Sequence, residues 1–284
     1  MSADDRTPAD DDPTPGAREA DTRRSADSAP STGDPTRTEG LPVTGPLGIS
    51  GGVTGRAAVL GAVVGLFVLA VVTSRVLTTL AAATVGVGDP GTISRLLVGV
   101  VGLQVVGFGV ALALVVRYHE RPLSYLRVGS LDWWTAFHGA AVGLALMLLT
   151  SAVTVVFQLF ALEPPARTAA VTPAPLFYVV LFLVSTAVAV PMEEVFFRGI
   201  VQRSLTAAWH PVVGVGVASL LFVGIHTGTR VGTGGELLVA AMFLGFGVVL
   251  GVGYYVTRNL LVPAVGHAIF SGAQILTQAF DVTV

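Results

Sequence analysis

From residue 57 onward the chain alternates between long apolar runs and short polar punctuation. A helix needs about 20 apolar residues to cross the hydrocarbon of a bilayer. Runs of that kind fall at 57–83, 96–116, 136–160, 174–200, 211–228, 236–256 and 260–280. The pattern predicts an all-α, polytopic integral membrane protein with about seven transmembrane helices. Arg75 interrupts the first run and reads as a snorkelling side chain. Trp133 and Trp134 stand just before the third, at the place of an aromatic belt. Residues 1–50 follow another rule: ten acidic residues and five arginines lie among Pro, Ser, Thr, Ala and Gly, with almost no large apolar side chain before Leu41. Such a segment cannot bury enough surface to offset its ordering entropy. We expect a disordered acidic N-terminal tail over 1–50 and a transmembrane helical domain over 56–284. The acidic start, with no apolar core behind it, does not read as a signal peptide.

Composition sharpens this picture. The chain is 52% hydrophobic and only 12% charged, against about 25% charged in a soluble domain. There is no cysteine, which excludes a disulfide framework and thiol chemistry. A net charge of −2 without a basic patch predicts no nucleic-acid partner. All basic residues are arginine, and their placement predicts orientation. With the N-terminus inside, Arg56, Arg117, Arg121, Arg127, Arg198, Arg203 and Arg258 lie inward, and Arg95, Arg167 and Arg230 outward. The expectation is a multi-pass protein of the cell membrane with a cytoplasmic N-terminus.

Ionisable groups inside spans are expensive and mark function by default. The fourth run ends in PMEEVFFRGIVQRSL, which places Glu193, Glu194 and Arg198 at the end of fourteen uncharged residues. Glu194 and Arg198 are four apart and share a helix face; Glu193 is turned about 100° away. Trp209, His210 and Pro211 read as a turn. Glu193 lies 17 residues before His210 and His226 lies 16 after it. An antiparallel hairpin therefore sets the two at matching depth, about 25 Å from the turn. Gln202 and Arg203 mark a hairpin tip reaching water. His267 is nine residues past Arg258, about 13 Å of helix, and Ser271 follows it on the same face. Three helices can thus bring two carboxylates, an arginine and two imidazoles to one pocket opening inward. His119, His138 and His210 fall at span ends and read as interfacial. Gly247 and Gly251 form a GxxxG pair, the mark of close helix packing.

These motifs resemble the CPBP family of intramembrane proteases, which includes type II CAAX prenyl endopeptidases and the Abi proteins. The carrying residues are EEVFFRG from Glu193 to Gly199, with Glu193, Glu194 and Arg198, FVGIH from Phe222 to His226, and HAIFS from His267 to Ser271. Together they cover about 174–280, the catalytic region the resemblance implies. Ser271 departs from the asparagine common among prenyl endopeptidases, and offers one donor where asparagine offers two. The resemblance implies an endopeptidase acting on a membrane-associated or prenylated CAAX-type substrate, so the expected partners are the lipid bilayer and a protein or peptide. In that reading Glu193 is the general base, His226 helps to hold the water, Glu194 and Arg198 fix geometry, and His267 and Ser271 donate to the oxyanion. The cofactor is open between none and a divalent metal such as zinc, whose ligands would be Glu193, His226 and His267. Two other classes remain: a proton-coupled transporter, which also uses buried Glu and His, and a non-catalytic immunity or scaffold protein. No repeat of the EEVFFRG region occurs in the first half of the chain, unlike the internal repeats of many transporters.

Overall fold

The computed structural model describes residues 53–85, 92–118, 126–163, 174–228 and 232–280. The predicted tail at 1–50 lies outside them, as do His119, Arg121, Arg167 and Arg230. Among the described residues the chain is helical, with no strand. Each of the seven predicted runs is a helix: α1 (Val53–Val85), α2 (Ile93–Arg117), α3 (Trp133–Leu159), α4 (Pro175–Ala208), α5 (Pro211–Thr227), α6 (Gly234–Thr257) and α7 (Leu261–Ala279). Five of them, α1 to α4 and α6, are long and apolar enough to cross a membrane by length and composition. α5 is shorter. α7 carries His267, Gln274 and Gln278 in its nineteen residues, and these polar groups lower its hydropathy. Among the described residues seven helices are therefore present, with five that qualify as spans on these grounds.

Arg75 does not break α1, which runs unbroken through it with the side chain exposed. α4 is longer than its predicted run and is not uniformly α-helical. It widens into π turns at Ser185–Ala189 and Val195–Gln202. The first widening ends just before Pro191. Proline has no N–H to donate and its ring clashes with the carbonyl four residues back, so the preceding turn opens to accommodate it. α2 carries a similar π stretch at Val101–Phe108.

α1 packs against α2, α3 along α7, and α5 between α4 and α6. At the centre Phe108 stacks on Phe196 with ring centroids 4.4 Å apart, and Phe197 meets Phe222 edge-on at 5.4 Å. Many large apolar side chains point outward, including Leu144, Leu148, Leu176 and Leu183, as lipid-facing surface requires. α3 is capped by Asp132, which accepts from the Thr135 N–H at 2.8 Å. That hydrogen bond holds the Asp132 carboxyl below the usual carboxylate range.

The GxxxG pair is a close contact. A Cβ on Gly247 would lie 2.6 Å from the Cβ and 2.7 Å from the Cα of Ser219 on α5, so backbone, not a flexible tip, blocks it. Gly247→Ala is expected to push α5 and α6 apart and to destabilise by about 1–3 kcal/mol, the usual range for overpacking. Thermal unfolding in detergent measures it; an unchanged midpoint would mean that the helices can separate freely.

Candidate active site

The turn predicted at 209–211 is present. α4 ends at Ala208, and His210 caps α5 by accepting from the Val212 N–H through Nδ1. The antiparallel hairpin then sets Glu193 and His226 face to face, with Oε2 and Nε2 3.9 Å apart. That distance exceeds a direct hydrogen bond. The other nitrogen of His226, Nδ1, lies 2.9 Å from the Phe222 carbonyl. A carbonyl only accepts, so Nδ1 carries the proton, and in the neutral form of the ring the lone pair of Nε2 faces Glu193. The ring is also held between Phe222 and Phe243, at centroid distances of 4.1 and 4.6 Å.

Glu194 has different partners. Its Oε2 lies 3.1 Å from Arg198 Nε, with side-chain exposures of 0% and 1%. The two atoms are not aligned as a hydrogen bond, so the contact is a charge pair. Glu194 Oε1 lies 2.8 Å from His267 Nδ1. Arg198 is further fixed by donation from Nη2 to the Gly247 carbonyl at 3.4 Å and by its place 4.8 Å from the centroid of Phe222. One turn on, Gln202 Nε2 donates to the Gly251 carbonyl at 2.8 Å. The GxxxG glycines thus do more than admit close packing: with no side chain in the way, their carbonyls accept from α4.

The structure therefore brings together Glu193, Glu194, Arg198, His226 and His267. Ser271 sits one turn beyond His267, half-buried, and hydrogen-bonds to none of the five. Gln202 corrects an expectation. Instead of marking a tip in water it is 2% exposed, because Gly251 offers its carbonyl inside the bundle. Sequence reasoning missed Gln104 of α2, whose Nε2 donates to Glu193 Oε1 at 3.1 Å in a buried setting. A single amide in the apolar run from 96 to 116 was the available signal. His138 is exposed and bonds to the Trp134 carbonyl, in keeping with an interfacial place.

A divalent metal would draw on Glu193, His226 and His267. Here His267 is engaged by Glu194 instead. Among the described residues no group of three or more His, Cys, Asp or Glu side chains is placed to hold a metal ion. The three side chains do not form that ligand set in this structure.

Comparison with curated proteins and with solved structures found no match. A family model does match. Its region, residues 175–273, covers 99 of the 284 residues, runs from the start of α4 into α7 and contains all six predicted site residues. The family it describes is Type II CAAX prenyl endopeptidase Rce1-like, so over this third of the chain the similarity is to the Rce1-like endopeptidases, consistent with the CPBP family.

Proposed function

We propose that the protein is an intramembrane endopeptidase that hydrolyses a peptide bond of a membrane-associated or prenylated CAAX-type substrate. The family match implies a protease, and the apolar helices imply a multi-pass membrane protein with a peptide substrate. The observation that carries the chemistry is the facing pair of acceptors. Glu193 Oε2 and the lone pair of His226 Nε2 look at each other across 3.9 Å, a span that one bridging water fills. Such a water gives one hydrogen to each acceptor and keeps an oxygen lone pair free to attack. As it attacks the scissile carbonyl, Glu193 takes its proton; the tetrahedral oxyanion forms; collapse expels the amine, which takes the proton back from Glu193.

The oxyanion needs donors. Ser271 supplies one through its hydroxyl. His267 supplies another through Nε2 when the ring is doubly protonated, since Nδ1 already donates to Glu194. Glu194 and Arg198 are positioning residues in this scheme and do not touch substrate.

Substrate identity is tested by trapping. Cells carrying wild type or Glu193→Gln are compared by mass spectrometry of membrane and small-peptide fractions. The expected result is a peptide or membrane protein that accumulates uncut in the variant. Equal fractions would remove the protease reading in favour of a relay or binding role for the same groups.

The arginine asymmetry supports an internal N-terminus with the pocket opening to the inner side. A reporter fused after Arg127 is expected to behave as cytoplasmic, and one at Arg230 as external. The reverse pattern would place the mouth on the outer face.

A further inference from the structure

At the end of the bundle where α4, α6 and the segment before α3 meet, a cavity of about 320 Å³ is lined by Arg127, Arg203, Arg258, Gln202, Thr206, Tyr254 and Tyr255, with Ala207. It lies along α4 past the carboxylates: Gln202 is nine residues after Glu193, roughly 13 Å of helix. Among the described residues no acidic side chain lines it. Arg127 and Arg258 make no ion pair with any described residue.

Two features show that this end is built. Arg127 and Arg258 have φ of 53° and 52°, and only Ala161 shares that left-handed backbone among the described non-glycine residues. Glycine or asparagine is the unstrained choice there. The arrangement is held by Asn259. Its side chain accepts from the Gly129 N–H at 3.1 Å and from the Leu261 N–H at 2.9 Å, and donates to Thr135 Oγ1 at 2.9 Å. The Leu260 N–H donates to the Arg127 carbonyl at 3.0 Å. Together these bonds fasten the 127–130 segment to the α6–α7 turn and hold both arginines at one cavity. Backbone strain kept in place by such a network is a pointer to function.

Gln202 Oε1 and Thr206 Oγ1 are buried without a partner, but they pack against Gly251 and Gly214 and are not open to the cavity. The ligand is therefore set by the guanidiniums, which call for an anion. The position identifies its source. Exposed Trp209, Tyr255, Trp133 and Trp134 surround this end of the bundle, and such residues mark the level of lipid headgroups. Basic pockets between helices at that level take anionic headgroups.

We propose that this cavity binds the headgroup of an anionic phospholipid, with Arg127 and Arg258 on the phosphate. The site is separate from the Glu193–His226 pair and does not depend on the protease reading. The test uses the full chain in a neutral detergent, with unfolding temperature as readout, and adds phosphatidylglycerol, phosphatidylcholine or free glycerol phosphate. The expected result is a rise of several degrees with phosphatidylglycerol alone, which fades at high salt. The double variant Arg127→Asn/Arg258→Asn removes both charges and suits the left-handed backbone. Without lipid it is expected to unfold at or above the wild-type temperature, and with phosphatidylglycerol to lose the rise. A purely structural role for these arginines predicts the opposite, a lower lipid-free midpoint with the rise intact, and that result overturns the proposal. An equal rise with phosphatidylcholine also overturns it. An equal rise with free glycerol phosphate overturns the lipid as source and assigns the pocket to a soluble polyol phosphate.

Discussion

Glu193→Gln is expected to cut turnover of any identified substrate by about 10²–10⁴-fold, the range for a lost general base, while the unfolding temperature stays near that of wild type. The isostere keeps an acceptor for Gln104, which bonds to Glu193 Oε1 at 3.1 Å. It leaves the close ion pair of Arg198 intact, because that pair is made with Glu194. Where Oε2 faced His226 Nε2, the variant presents an NH₂ group that can donate straight to the histidine and close the space a water needs. The amide cannot take a proton from water, so binding of substrate survives and the chemical step does not. His226→Ala acts on the same water. Its loss is therefore expected not to add to that of Glu193→Gln, since groups acting as a unit are non-additive. Turnover of the trapped substrate by the two single variants and the double variant decides this. Near-normal turnover by Glu193→Gln would remove Glu193 from the role of base.

The split between the two glutamates was legible in the sequence because it depends only on helix geometry and a turn. Four-residue spacing paired Glu194 with Arg198. Equal counting from His210 paired Glu193 with His226, and the structure brings both pairs together. What was not legible came from groups whose partner lies on a helix distant in sequence. Gln104 stands 89 residues before Glu193, and nothing local announces which span will face it. Gln202 looked like a water-facing tip because an amide next to an arginine usually is one; only the carbonyl of Gly251 makes its burial acceptable. His267 and Ser271 looked equivalent, one turn apart on one face, yet His267 is tied to Glu194. The first π turn of α4 had a visible cue in Pro191, but straight 3.6-residue counting ignores it. The helix windows were readable from hydropathy. The span count was less so, because a helix that carries site residues, as α7 does, gives up the apolarity by which spans are found.

Removal of the Glu194 charge is expected to damage the fold as well as the activity. In the structure this carboxylate faces two groups at once, Arg198 at 3.1 Å and His267 at 2.8 Å. Arg198 is among the largest fully buried side chains. Its remaining contacts are the Gly247 carbonyl and the faces of Phe197 and Phe222, and none of these carries a negative charge. Glu194→Gln therefore leaves a guanidinium buried without its counter-charge, a change that costs about 3–5 kcal/mol when one partner of a buried pair is lost. For a chain of this size that is a fall of roughly 6–20 °C in unfolding temperature. The cause can be separated from simple loss of packing by removing the stranded charge too. Glu194→Gln/Arg198→Met keeps much of the volume and buries no ion, so it is expected to recover a large part of the lost stability. It should remain inactive, because His267 has lost the carboxylate that holds Nδ1 and orients the ring. Thermal unfolding in detergent and turnover are read on the same preparations. If the double variant is as unstable as Glu194→Gln alone, the damage comes from the Glu194 site itself and not from an unpaired Arg198. If Glu194→Gln unfolds with wild type and turns over substrate, Glu194 neither pairs with Arg198 in any way that matters nor positions His267.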